Sequence, residues 1–217
     1  CKQALLAELS HAEHENGEDR IGFLDPDPER PLFTFIGRLS EQKGVDILIE
    51  ALRLFFDSEV VASVVCLGNG SEEMEQALAA VALEPRYQGR ICVLPTYNPK
   101  LANQIYAAGD FFVIPSRYEP CGLTDYIAQL FGNVPIVHHI GGLVKVVDGV
   151  TGLAYEENSP ETLAQAMHRA LELFQDSQRI RDMQVAALEN ISKEHSWKQV
   201  MQQYVALYKA TRVDTNI

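Results

Sequence analysis

Four consecutive large apolar residues, Phe111-Phe-Val-Ile114, stand between the polar pairs Gly109-Asp110 and Ser116-Arg117. A run of strand length with no polar alternation must be buried on both faces, which a sheet covered on each side by helices provides. Similar apolar runs occur at 32–36, 62–67, 91–94 and 135–138, and amphipathic stretches of helical length separate them at 46–56, 72–81, 100–108 and 123–131. This alternation predicts an α/β fold, a Rossmann-like parallel sheet with right-handed crossovers flanked by helices. After the short run 152–155 the chain reads as helical to near its end, a helical C-terminal extension, with Ser159 as a cap and Pro160 in the first turn.

The 217 residues suit one substantial domain plus a terminal extension. Residues 1–30 read as an N-terminal helix and an acidic linker, exposed over 10–30 and ending in Asp25-Pro-Asp-Pro28. Residues 31–217 form the expected domain. His11 and His14 fall in the linker and read as solvated side chains. The chain lacks an initiator Met and opens inside a helix-like stretch, as an excised piece of something longer would.

Thirty acidic residues against 18 basic ones leave a net charge of −12, which argues against nucleic-acid binding and against an anionic membrane surface. No apolar run approaches the roughly 20 residues that span a bilayer, and no signal peptide opens the chain. Cys1, Cys66, Cys92 and Cys121 are widely spaced and show no zinc-binding pattern, which fits reduced thiols in a cytoplasmic protein.

In a parallel sheet, ligands bind beyond the carboxyl ends of the strands. Each expected strand leads into a loop of unusual composition. Gly37-Arg-Leu-Ser-Glu-Gln-Lys-Gly44 presents Arg38 and Lys43 on a glycine-bounded turn, able to clamp a diphosphate or simply to be solvated surface charges. Gly68-Asn-Gly70 permits close backbone approach to a ligand, or is a plain turn. Tyr97 offers a ring to a nucleobase, or packs. In Pro115-Ser-Arg-Tyr-Glu-Pro-Cys-Gly-Leu-Thr124, backbone N–H groups at Gly122, Leu123 and Thr124 suit phosphate oxygens, while Glu119 suits sugar hydroxyls. That segment reads as a nucleotide-sugar site. Gly141-Gly-Leu143 allows another close approach or a tight turn, and His138 and His139 read as structural.

Taken together, Gly37 to Gly44, Pro115 to Thr124 and His139-Ile-Gly-Gly-Leu143 resemble the C-terminal, donor-binding domain of bacterial glycogen synthases and plant starch synthases. These are retaining glycosyltransferases of the two-domain GT-B fold, so the resemblance implies that this chain forms one half of such a fold. It further implies ADP-glucose as donor, with UDP-glucose left open, no cofactor and no metal ion. An α-glucan would be the acceptor, reached through an N-terminal GT-B domain missing from this sequence. Carried over by position, Arg38 and Lys43 would bind the diphosphate, and Tyr97 would stack on the base. Glu119 would hold the transferred glucose, so that Glu119, Arg38 and Lys43 form the expected catalytic group. Gly68, Cys121, Gly122, Leu123, Thr124, Gly142 and Leu143 complete the expected nucleotide-sugar contacts. Location follows the source: cytoplasm in a bacterium, plastid stroma in a plant.

Two positions depart from related patterns. Asp125 stands where the family usually has Gln, and Ile127 stands where many other retaining GT-B enzymes carry a second glutamate, eight residues after the first. The second departure favours a glucan synthase over enzymes acting on lipids or small acceptors. A binding module without catalysis, and a GT-B enzyme with a lipid or small acceptor, remain the alternative readings.

Overall fold

The computed structural model describes residues 1–10 and 20–211. A single seven-stranded sheet organises them, with strands β1 (Ile21–Gly22), β2 (Leu32–Ile36), β3 (Ser63–Leu67), β4 (Ile91–Leu94), β5 (Phe111–Ile114), β6 (Val134–His138) and β7 (Leu153–Tyr155). Their spatial order is β1-β4-β3-β2-β5-β6-β7, and every pairing is parallel except that of β1 with β4. The expected parallel sheet is therefore present, and its strands lie within one residue of the apolar runs that announced them.

Helices α1 (Lys2–Leu9), α2 (Val45–Asp57), α3 (Glu72–Ala82), α4 (Pro99–Ala108), α5 (Thr124–Leu130), α6 (Pro160–Phe174), α7 (Ser177–Glu194) and α8 (Trp197–Thr211) complete the order. Strand residues alternate between the two faces, as the period of two requires. Phe33, Phe35, Val64, Cys66, Phe111 and Val113 pack with α2, α3 and α6, whereas Leu32, Val65, Leu67 and Leu94 pack with α1 and α4. Phe112, Ile114 and Val137 pack with Tyr106 of α4 and Ala128 of α5. Burial on both faces is what removed polar residues from β5. The start of α6 carries the expected cap: Ser159 Oγ accepts from Thr162 N, the reciprocal bond is present, and Pro160 follows.

The stretch read as an exposed linker differs in part. Ile21 and Gly22 join the sheet edge, and Leu24 is fully buried beside Leu5, Leu6 and Leu9 of α1. Apolar side chains spaced along α1 cover the outer part of the second face, so the turn residues of 25–30 hid a short strand from the pattern. His11 and His14 lie outside the described residues.

Strand order sets the location of the site. From β2 the chain winds outward through β3 to β4, then returns through α4 to place β5 on the other side of β2. Adjacent parallel strands whose connections run in opposite directions leave a crevice beyond their carboxyl ends. The loops that follow β2 and β5 are 37–44 and 115–123.

Candidate active site

The two crevice loops are held against one another by backbone contacts. Arg117 N donates to Gln42 O at 2.9 Å. Gly44 closes the first loop in a left-handed conformation (φ +68°), and a Cβ there would lie 1.9 Å from Pro115 O. Only glycine meets both conditions. Across this junction Lys43 Nζ donates to Glu119 Oε2 at 2.6 Å, and Ser116 Oγ lies 3.3 Å from the same oxygen. Arg117 and Asp46 form a second ion pair between loop and α2.

Deeper contacts fix the loop that carries Glu119. Ser116 O is 2.7 Å from Nδ1 of the buried His138, and Pro115 O accepts from Asn158 Nδ2 at 3.1 Å. Glu119 O accepts from Gly142 N at 2.7 Å, and a Cβ on Gly142 would collide with Cys121 O at 2.1 Å. Glu119 is itself only 8% exposed, so its carboxylate is held rather than solvated. His138 is structural, as its sequence context suggested; His139 pairs with Glu156 at 2.9 Å on the outside.

Beyond Glu119 the chain turns through exposed Cys121, buried Gly122 and exposed Leu123 into α5, whose first bond runs from Ile127 N to Leu123 O at 3.1 Å. The leading N–H groups of a helix have no intrahelical acceptor. Half-buried Thr124 stands at that start. Asp125, one residue on, is fully buried, and burial pushes its carboxyl up to about 6, with Lys145 opposing the shift. Lys145 is the cation nearest to it, 3.3 Å from Oδ1.

Of the other residues singled out in the sequence, Arg38 is exposed on the β2 loop, and no ion pair engages it among the described residues. Gly68 follows β3, donating to Leu94 O at 3.1 Å, while Leu39 N reaches Asn69 O at 3.0 Å, so the β2 and β3 loops also run together. Tyr97 follows β4 and is 81% exposed. The Gly142 and Leu143 N–H groups are already spent on Glu119 O and Ile140 O, and the Leu143 side chain is buried. Those two residues brace the Glu119 loop. Ser116, Asn158 and Lys145 were not singled out in the sequence, because each acts across a turn that only the folded chain brings near.

Residues 30–173, most of the sheet and all of these loops, match the family of group 1 glycosyl transferases. The chain belongs to that family. Among curated relatives, the glycogen synthase of Myxococcus xanthus is 37% identical over 211 residues, covering 96% of this chain and 40% of that protein. The glycogen synthase of Flavobacterium johnsoniae is 34% identical over 199 residues, covering 89% of this chain and 41% of that protein. The chain thus spans about two fifths of the length of these relatives. Among solved structures, the catalytic domain of Arabidopsis thaliana starch synthase IV, bound to ADP and acarbose, superposes with a TM-score of 0.75 at 26% identity. That match covers 96% of this chain and 41% of the other. The fold is accordingly one half of a GT-B glycosyltransferase. No helix among the described residues is long and apolar enough to cross a membrane.

Proposed function

We propose that this domain binds ADP-glucose and, with a second GT-B domain, transfers glucose with retention to the 4-hydroxyl of an α-1,4-glucan. The Lys43–Glu119 pair carries the reading, because it puts a fixed cation and a fixed carboxylate at one point of the crevice between β2 and β5. A nucleotide sugar needs both there, an anion-binding group for the diphosphate and an acceptor for sugar hydroxyls. Arg38 and Lys43 stabilise the charge that develops as the diphosphate departs, a preorganised electrostatic role. The N–H groups of residues 122–124 take the distal phosphate, and Tyr97 stacks on the base. Glu119 orients the glucose through hydrogen bonds to its hydroxyls. The ADP of the Arabidopsis starch synthase structure supports an adenine donor, and cytoplasmic glucan synthesis fits the relatives named above.

A second reading is a nucleotide-sugar-binding module without turnover. Calorimetric titration with ADP, ADP-glucose and UDP-glucose, beside a glycogen-elongation assay, separates the two. Binding with ADP-glucose preferred, and elongation once the second domain is supplied, is expected. Absence of any heat at millimolar nucleotide would end the donor-binding reading. Binding without elongation in the two-domain protein would select the module, and preference for UDP-glucose would overturn the adenine assignment.

A further inference from the structure

Lys145 ends the turn Gly141–Lys145 and reaches from there to the start of α5. Its Nζ donates to Cys121 O at 2.7 Å and to Gly122 O, lies 3.3 Å from Asp125 Oδ1, and sits 3.7 Å from the ring centre of Tyr126. All four partners fall within residues 121–126. An ammonium group has three protons. Two carbonyls accept from it and the Asp125 carboxylate pairs with it by charge at 3.3 Å, so Lys145 is spent on the turn rather than on a phosphate.

Asp125 gives the complementary half. It is fully buried, and neither carboxylate oxygen makes a hydrogen bond. The ionisable groups facing it are Lys145, Tyr126 of its own helix and Tyr106 of α4, with the His195 ring tilted against Tyr126 at 5.2 Å. A buried carboxylate beside a phosphate seat would repel the phosphate, so its place there, paired with Lys145, calls for a function other than ligand contact. A Cβ placed on Gly122 would meet Asp125 Oδ1 at 3.1 Å and Lys145 Nζ at 3.3 Å, which puts the charge pair directly against the turn.

We propose that Lys145 and Asp125 form a latch that fixes the Cys121-Gly122 turn, and with it the N–H groups of residues 122–124, in the geometry that receives the donor's distal phosphate. Both are positioning residues. Lys145 ties the turn's two carbonyls back toward the 141–145 segment, so the peptide N–H groups on the opposite side point into the crevice. Asp125 holds the lysine in register and neutralises its charge. The inference rests on the donor-binding reading above.

The test is calorimetry on the 217-residue chain with ADP and AMP as probes, each variant first checked for a cooperative thermal transition. Lys145→Met should weaken ADP about tenfold and AMP less than twofold, because only the distal phosphate depends on the latch. Asp125→Asn combined with Lys145→Met should recover part of that loss, since a buried unpaired carboxylate is no longer left behind. Lys145→Arg, which keeps a cation at the carbonyls, should bind ADP within about threefold of wild type; it and the double variant carry the test if Lys145→Met fails to fold. Equal weakening of ADP and AMP, or no coupling between the two positions, would overturn the latch while leaving donor binding intact. Failure of the wild-type chain to bind ADP would overturn both.

Discussion

Lys43 Nζ and Glu119 Oε2 lie 2.6 Å apart although 76 residues separate them in the chain. The contact joins the loop after β2 to the loop after β5, and it places opposite charges at the one point of the sheet where the winding direction reverses. Without a ligand each group neutralises the other. A bound donor would supply both with new partners, phosphate oxygens for Lys43 and sugar hydroxyls for Glu119.

Glu119→Gln therefore has opposite effects on two ligands. Losing the carboxylate frees Lys43, so ADP should bind as tightly as before or several-fold more tightly. ADP-glucose should lose the hydrogen bonds its glucose makes to a charged acceptor, about 1.5 kcal/mol or more, roughly tenfold in Kd. The affinity ratio of ADP-glucose to ADP, measured by calorimetry, reports the difference. An unchanged ratio would remove Glu119 from sugar recognition, and wild-type turnover of the variant in the two-domain enzyme at saturating donor would remove it from catalysis.

Tyr97→Ala should leave stability unaltered, because the side chain is 81% exposed. Base stacking on an aromatic ring contributes about 1–3 kcal/mol. The variant should bind ADP at least fivefold more weakly, while inorganic pyrophosphate, which has no base, binds unchanged. Equal effects on the two probes would point away from stacking.

Gly44→Ala tests the junction of the loops. At φ +68° a side chain costs about 1–2 kcal/mol in backbone strain alone, and its Cβ would displace Pro115. Chemical denaturation should show a loss of at least that size, accompanied by weaker ADP binding as the 37–44 and 115–123 loops separate. A variant of wild-type stability would show that the two loops are not packed this tightly.

Asp125 makes stability depend on pH in a defined direction. Burial raises its carboxyl from 3.8 to about 6, so between those values the folded chain holds a proton that the unfolded chain has released. The contribution of this group is then most favourable below about pH 4, declines as pH rises through 6, and is flat above. Its full span is roughly 2–3 kcal/mol. Asp125→Asn removes the titration, so the melting temperature of the variant relative to wild type should be higher at pH 7.5 than at pH 4.5. The same difference at both pH values would mean that Asp125 titrates normally.

The apolar runs alone determined the strands and the layers, since Phe111-Phe-Val-Ile114 has no polar residue that a solvated face would accept. Ser159 and Pro160 likewise marked the start of α6 locally, through a capping box that needs no other part of the chain. The loops 37–44 and 115–124 were legible because glycine, cation and carboxylate stand together in each. Strand order was not legible: nothing in residues 32–36 says that their neighbours are β3 on one side and β5 on the other. Only that order brings Lys43 to Glu119, Asn158 to Pro115 O and Lys145 to Asp125. Segments far apart in sequence meet there because burying both faces of the sheet requires the crossovers to run outward from β2 on each side. The sequence thus determined which loops gather glycines and charges at the strand ends, and tertiary packing decided which of those charges face each other.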